Sequence, residues 1–427
     1  MTLQRLIIKG EGTSSRSMTG EPEDEPLLPS KSLLGAGATQ HFSDTLSRRY
    51  INLFAVAIGT TVSQMGYLRA AQSLSRNILQ LLWGRMVDRY GKRIFIGLGR
   101  LLNGAMLATI IFVRTPSWLI PFVIGASICV SLAMPSWSSL LGDYTAHSTR
   151  GETIGRINAV SNAGGLVAMI SALVISLNQT GETTPESFKW VLAMAASMSL
   201  VSGVLITLTK EKPPEAERSP LEMTKVFKDP RLRRYLIFNT VYGISMALAW
   251  PLFPFIVVDK LAMKVWQVAA YSVCSAAFSS VSHRYLGTLM DRIGRRPVIV
   301  FSRVAMSISP LVYAFATSWL HIFMAEVILG VGMGAWMSSS PTYIIDLAPE
   351  ELRATYLATN TTIFGISAFI GSLVGGYVTD NLFAVEGSFE GINMGLLISA
   401  ALRFSTGLLF LKAYETFPKP RNAPSPR

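Results

Sequence analysis

The sequence predicts an all-α polytopic membrane protein built from two copies of one half, and three observations carry that prediction. Half of its 427 residues are hydrophobic and only 15% are charged, where a soluble chain carries about a quarter charged residues; the mean hydropathy is +0.39. Apolar segments of about 20 residues, the length that spans a bilayer, recur along the chain. A ten-residue stretch, Gly84–Arg93 (GRMVDRYGKR), returns as Gly287–Arg296 (GTLMDRIGRR), with Gly, Asp, Arg, Gly and Arg at the same five places. The offset of 203 residues also relates Arg100 to Arg303, Asp143 to Asp346 and Arg150 to Arg353 without a gap.

Each part of the repeated stretch has a physical reason. Glycine at Gly84 and Gly91 lets the backbone turn sharply and lets helices approach closely. The arginines and Lys92 suit a short cytoplasmic loop, where basic residues set topology. Asp88 and Asp291 fall at helix ends, where a carboxylate accepts backbone hydrogen bonds and pairs with a neighbouring cation.

Residues 1–48 are polar, with an acidic run at Glu21–Glu25, and read as a disordered tail. They contain no sustained apolar core of the kind a cleavable signal peptide needs. Within them Glu23–Leu28 (EDEPLL) resembles the acidic dileucine sorting signal of eukaryotic endolysosomal membrane proteins. A first membrane bundle is expected over 49–208, with spans at 64–84, 94–113, 118–140, 153–175 and 188–208. A cytoplasmic linker follows at 209–234, its Pro220–Lys228 portion reading as a surface helix. The second bundle, 235–412, has spans at 235–257, 265–287, 297–316, 319–341, 354–378 and 393–412, and 413–427 form a cytoplasmic tail. Loops on the repeated-motif side hold about eighteen Lys and Arg against about four opposite, so the motif side is cytoplasmic. The same distribution reads the net charge of +12 as membrane topology rather than nucleic-acid binding.

Eleven spans leave one without a counterpart. The partner of 235–257 falls at 32–54, SLLGAGATQHFSDTLSRRYINLF, which is too polar to face lipid. The first helix of the first half is therefore expected to be lost or replaced, with Tyr50–Gly59 a closing helical turn.

Ionisable groups at membrane depth are costly and point to function. Arg76 shares a helix face with Gln72, Asn77 and Gln80 by three- and four-residue spacing. It reads as a cavity-lining cation for an anionic or polyol substrate, or as a structural arginine paired in the bundle or snorkelling towards headgroups. Glu326, the only carboxylate well inside a span, suits a proton-exchanging group, or a structural pair with Arg303. Trp137, Asn158, Asn162, Asn239, Tyr242, Trp250, Tyr271, Trp336 and Asn360 could line a polar-aromatic cavity, although interhelical packing or hydrogen bonding is the better account of any one of them. Ser338–Ser340 is a small-residue packing patch, and neither His283 nor His321 is deep enough for a proton relay. Cys129 and Cys274 both lie in apolar segments, indicating neither a disulfide framework nor a zinc site.

These motifs give the chain a clear family resemblance. Both loops match the signature G-x-x-x-D-R-x-G-R-R of major facilitator superfamily secondary transporters, Lys92 replacing the first closing arginine of the first copy. The resemblance covers roughly residues 50–412 and implies two pseudo-symmetric six-helix bundles with a substrate site between them. It implies a gating role for Gly84, Asp88, Arg89, Gly91, Arg93, Gly287, Asp291, Arg292, Gly294 and Arg296, joined by Asp143, Arg150, Asp346 and Arg353. Substrate or proton candidates are Arg76, Asn77, Gln80, Asn158, Asn239, Tyr242, Glu326, Trp336 and Asn360. The efflux branches' arginine in the fourth helix is absent from Trp118–Ile128, and their Gly-Pro pair from Asn162–Gly165.

The function this implies is alternating-access transport of a small molecule coupled to a proton or other ion gradient; a non-transporting receptor or scaffold is the alternative. With no nucleophile elbow, phosphate-binding loop or metal-ligand cluster, neither an enzyme nor an ATP-driven pump is expected, nor any cofactor or metal. The expected partners are a small-molecule substrate, protons and the lipid bilayer, not nucleic acid, and the family's usual form is a monomer. The expected location is the cell membrane, or an endolysosomal or vacuolar membrane in a eukaryotic host.

Overall fold

A computed structural model describes residues 27–79, 83, 86–87, 91–145, 150–177, 184–213, 226–383 and 388–416. Gln80, Gly84, Asp88, Arg89, the acidic part of Glu23–Leu28, residues 220–225 of the expected surface helix and the Arg150 side chain lie outside the described residues.

Among the described residues the chain forms twelve long helices. The first half contains α1 (Lys31–Ala57), α2 (Val62–Leu74, continued by a π turn, Ser75–Leu79), α3 (Lys92–Ile110), α4 (Pro116–Asp143), α5 (Arg150–Leu177) and α6 (Pro185–Thr207). The second half contains α7 (Pro230–Leu248, extended by turns to Lys260), α8 (Val265–Ile293), α9 (Arg295–Phe315), α10 (Trp319–Leu347), α11 (Arg353–Leu382) and α12 (Glu390–Leu409). The duplication is visible helix by helix. Shifting Val62, Lys92, Pro116 and Arg150 by 203 residues lands on Val265, Arg295, Trp319 and Arg353, the first residues of α8 to α11.

Local chemistry sets the helix starts. Thr61 and Gln64 form a reciprocal capping box at α2, satisfying two otherwise orphaned backbone donors. Proline opens α4, α6 and α7, at the one helical position where its missing N–H costs nothing. Gly91 and Gly294, equivalent positions of the repeated loop, precede α3 and α9 with φ of 97° and 100°. Any other residue would be strained there.

The first helix corrects the sequence-based expectation. Residues 31–57, read partly as tail and partly as a lost helix, form a continuous 27-residue helix. Shifted by 203, its last residue Ala57 falls on Lys260, where the extension of α7 ends. Asp44, Arg48 and Arg49 make it look soluble, but they face inward, where Arg100 and Glu326 pair two of them. Mean polarity overstates the cost of a charge when the charge never meets lipid. Nine of the twelve helices are long and apolar enough to cross a membrane by composition among the described residues. The other three are α1, α2 and α8.

Both halves repeat one packing pattern. In the first, α1 packs on α5 and α6, α3 on α4 and α6, and α2 on α4; in the second, α7 packs on α11 and α12, α9 on α10 and α12, and α8 on α10. Two equivalent seams join the halves, α2 against α11 and α5 against α8. Large apolar side chains such as Phe112, Trp190 and Tyr285 are exposed, as expected where lipid rather than water is the solvent.

The buried core is unevenly shared. At the end away from the motif loops one apolar cluster crosses both halves, including Tyr50, Phe54 and Met65 from the first and Phe255, Met263 and Tyr271 from the second. At the motif end each half has its own clusters, around Leu33 and Ile96 in the first and Tyr235, Tyr343 and Phe410 in the second. The far end is thus closed by shared core.

Closure there includes backbone-to-backbone approach at the α2–α11 seam. A Cβ added at Gly66 would lie 2.9 Å from Gly376 Cα and Ser372 O. Beside it, the Ser63 N–H donates to Asp380 Oδ2 (3.2 Å). Gly66→Val is expected to destabilise the protein by about 1–3 kcal/mol through overpacking. The check is a lowered unfolding midpoint of the detergent-purified chain; an unchanged midpoint would mean that the seam is loosely packed.

Candidate functional site

Between the halves lies a cavity of about 530 Å³ lined by α1, α2, α5, α7, α8, α9, α10 and α12. Its polar wall is mostly arginine. Arg48 and Arg49 come from α1, Arg69 and Arg76 from α2 and its π turn, and Arg403 from α12; Glu326 is the only carboxylate lining it among the described residues. Arg69, Gln72 and Arg76 stand three and four residues apart, so one helix face brings all three to the cavity. Trp250, Phe253, Tyr271, Leu329 and Met333 supply an apolar wall.

The floor of the cavity is a hydrogen-bonded bridge between the halves. Arg49 Nη2 donates to Glu326 Oε2 at 3.2 Å, and the Tyr313 hydroxyl donates to Oε1 of the same carboxylate at 2.9 Å. The Arg49 guanidinium also lies 5.0 Å from the Tyr271 ring centroid, a cation–π distance. Glu326 is 4% exposed, so this is a largely desolvated pair in which each charge depends on the other.

A second pair holds α1 in its own bundle. The Arg100 guanidinium donates to both oxygens of Asp44, at 2.6 and 3.2 Å, in the two-pronged geometry arginine and carboxylate favour. Arg48 approaches the same carboxylate at 3.9 Å. Among the described residues three other arginines have no such partner. The Nε atoms of Arg69, Arg76 and Arg403 are buried without a hydrogen bond. Arg403, 1% exposed, donates to the backbone carbonyls of Met306 (3.2 Å) and Met246 (2.6 Å).

The sequence candidates divide between cavity and scaffold. Arg76, Gln72, Glu326, Trp250 and Tyr271 line the cavity. Asn77 instead packs on Gly365 of α11 and donates to the Ser73 carbonyl. Asn239, Tyr242, Trp336 and Asn360 gather around or beside Arg303. Arg303 donates to Asn239 Oδ1 (3.0 Å), Asn239 donates to Asn360 Oδ1 (3.0 Å), and the rings of Tyr242, Trp336 and Phe410 surround the guanidinium. Arg303 is therefore not the partner of Glu326, which is held by Arg49. Asn158 and Asn162 are exposed on α5, and Trp137 packs beside Gly37. Ser338 donates to the His283 carbonyl (2.9 Å) and Ser340 bonds Tyr235 (2.6 Å), consistent with helix packing.

At the motif end the two halves carry matching networks. Lys92 pairs with Asp143 (2.5 Å), and Glu211 caps α3 by accepting from the backbone N–H of Lys92 and Arg93. In the second half Arg295 pairs with Asp346 (2.9 Å) and Asp291 (3.0 Å), and Glu415 accepts from the N–H groups of Arg295 and Arg296. Arg93 and Arg296 donate to carbonyls at the ends of their bundles, Thr207 and Leu411. Arg353, expected in the motif-loop network, pairs with Glu350 at 3.4 Å. Tyr144, just beyond α4, donates to the Lys210 carbonyl (2.6 Å); burial raises its pKa, keeping the hydroxyl a neutral donor.

Comparison with known proteins decides the family. The model of the Major Facilitator Superfamily matches residues 33–285 and 235–427. The chain belongs to the major facilitator superfamily. An uncharacterised MFS-type transporter of Methanocaldococcus jannaschii is 23% identical over 389 residues, covering 86% of this chain and 94% of that protein. Multidrug resistance protein 1 of Bacillus subtilis is 22% identical over 329 residues, covering 75% of this chain and 81% of that protein. A crystal structure of the nucleoside transporter NupG superposes with a TM-score of 0.71 at 15% identity, over 90% of this chain and 99% of that one.

As a member of the major facilitator superfamily the chain is a multi-pass integral membrane protein, and transport across the membrane is the function its relatives support. They do not favour the receptor or scaffold alternative. Of the site residues that sequence reasoning missed, Arg48, Arg49 and Asp44 lie on α1, Arg69 on α2 and Arg403 on α12. Asp44→Asn is expected to strand the fully buried Arg100, costing about 3–5 kcal/mol. The double substitution Asp44→Asn with Arg100→Met should recover most of it. Unfolding midpoints of the purified variants test this, and equal losses in single and double variants would refute the pairing.

Proposed function

We propose that the chain moves a small solute across its membrane by alternating access, and that the state described here is open towards the motif end. The observation that carries this reading is the uneven core: one apolar cluster joins both halves at the far end, whereas each half keeps its own at the motif end. The cation distribution of the loops makes the motif end cytoplasmic, so this state faces inward. The Arg49–Glu326 bridge at the cavity floor must break for the far end to part. A proton reaching Glu326 would remove the negative end of that bridge, which supports coupling to a proton gradient.

The gating residues act through the motif networks. In this state Lys92–Asp143 and Arg295–Asp346 each stay within one half. They fix the angle at which α3 and α9 leave their loops, and an outward-facing state would bring these loops together.

Glu326→Gln mimics the protonated carboxyl and removes about 1.5–3 kcal/mol of charge-assisted bonding, enough to shift a two-state equilibrium by roughly tenfold or more. Spin labels at Thr61 and Leu382 report the far end, and labels at Lys210 and Lys412 report the motif end. In Glu326→Gln the far-end distance is expected to lengthen in a larger fraction of molecules while the motif-end distance shortens. Single, unchanging distances at both ends would exclude alternating access.

A further inference from the structure

Scaffold charges and cavity charges differ in one respect that follows directly from the duplication. Three charges of the framework occur twice at the offset of 203: Arg100 and Arg303, Lys92 and Arg295, Asp143 and Asp346. The charges of the cavity occur once. Arg48, Arg49, Arg69 and Arg76 correspond to Pro251, Leu252, Ser272 and Ser279, while Arg403 and Glu326 correspond to Leu200 and Val123. A fold that stands without these charges in one half does not require them for its architecture in the other.

Among the described residues five arginines and one glutamate line the cavity, and the nearby carboxylate of Asp44 is paired with Arg100. No carboxylate among the described residues neutralises Arg69, Arg76 or Arg403. Guanidinium groups gathered in one partly buried cavity repel one another and lose part of their hydration, which is unfavourable in the absence of a counter-charge. An anionic ligand supplies that charge, and the planar five-donor guanidinium matches carboxylate, sulfonate and phosphate oxygens. A cation would be repelled, and a neutral sugar or nucleoside would leave the arginines unpaired.

On the transport reading above, we propose that the cavity binds a small organic anion through Arg69, Arg76 and Arg403, and that the anion takes Arg49 from Glu326. The charged head sits at the arginines, and an apolar body lies against Trp250, Phe253, Tyr271 and Met333. The volume of about 530 Å³ falls in the range of small-molecule sites. Arg49 is the group both anions can reach: it is 32% exposed on its side chain, while Glu326 behind it is 5% exposed. A head group in the cavity therefore competes with Glu326 for one guanidinium. Competition loosens the bridge that holds the far end shut.

The test uses the full-length protein in lipid nanodiscs and follows its unfolding midpoint, which rises with any ligand that prefers the folded state. The probes are hexanoate, benzoate, benzenesulfonate and phenyl phosphate at millimolar concentration, with benzamide, benzyl alcohol and benzylamine as neutral and cationic counterparts. At least one anion is expected to stabilise the protein while its counterparts do not. Arg76→Gln and Arg403→Gln should weaken that anion about 30-fold or more, as for loss of one partner of a buried charged contact, and Arg76→Lys should restore part of the loss. Glu326→Gln should tighten it, since Arg49 is released from its internal competitor. That opposite sign keeps the test decisive if an arginine variant fails to fold. Stabilisation by a neutral or cationic probe as strong as by the anions overturns the proposal, as does stabilisation by none of the anions. If the spin-label distances still alternate in either case, the anion assignment alone falls; if they do not, the transport reading falls with it.

Discussion

Charge at membrane depth must be turned from lipid and paired, and this constraint shapes the whole molecule. It is met first on α1. Asp44, at the middle of that helix, is gripped by the fully buried Arg100 of α3, which fixes the face α1 presents to its own bundle. With that face fixed, Arg49 points across to the other half and meets Glu326 on α10. A helix too polar for lipid thus becomes the one that both anchors the first bundle and touches the second. In the state described both pairs are made at once.

Duplication gives the framework and divergence gives the site. Equivalent glycines with positive φ start α3 and α9, and equivalent cation–carboxylate pairs brace the two motif loops. Where the halves differ, the difference is chemical. Arg100 has a carboxylate, whereas its counterpart Arg303 is buried among three aromatic rings and Asn239, because Ala247 stands where Asp44 would be. A guanidinium can be accommodated by ring faces and an amide when no carboxylate is available. The second bundle thereby keeps its buried arginine in place without using a charge that would also reach the cavity.

Much of this was legible in the sequence, and the omissions have physical causes. The motif loops, the two halves and eleven of the helices follow from a gap-free repeat at one offset and from apolar length. Arg76 and Glu326 stood out because ionised groups inside apolar segments are rare. The first helix was not legible, because averaged polarity weighs Asp44, Arg48 and Arg49 as though they faced lipid, and only partners on α3 and α10 reveal that they do not. Losing that helix hid Arg49, and so Arg303 stood in as a partner for Glu326. Arg69 was legible in principle, seven residues before Arg76 on the same face. Asn77, one residue off that face, went to the α11 seam instead.

The placement of the bridge explains why recognition and movement need not be separate devices. Two groups that compete for one guanidinium cannot both be fully bound, so the free energy an anion gains at Arg49 is withdrawn from the contact closing the far end. Linkage makes the relation reciprocal: whatever weakens Glu326's hold on Arg49 strengthens the hold of the anion. A neutral solute of the same shape would fill the space without drawing Arg49 away, and would leave the bridge as it found it. In this arrangement charge does more than select the ligand. It is the property of the ligand that the gate can sense.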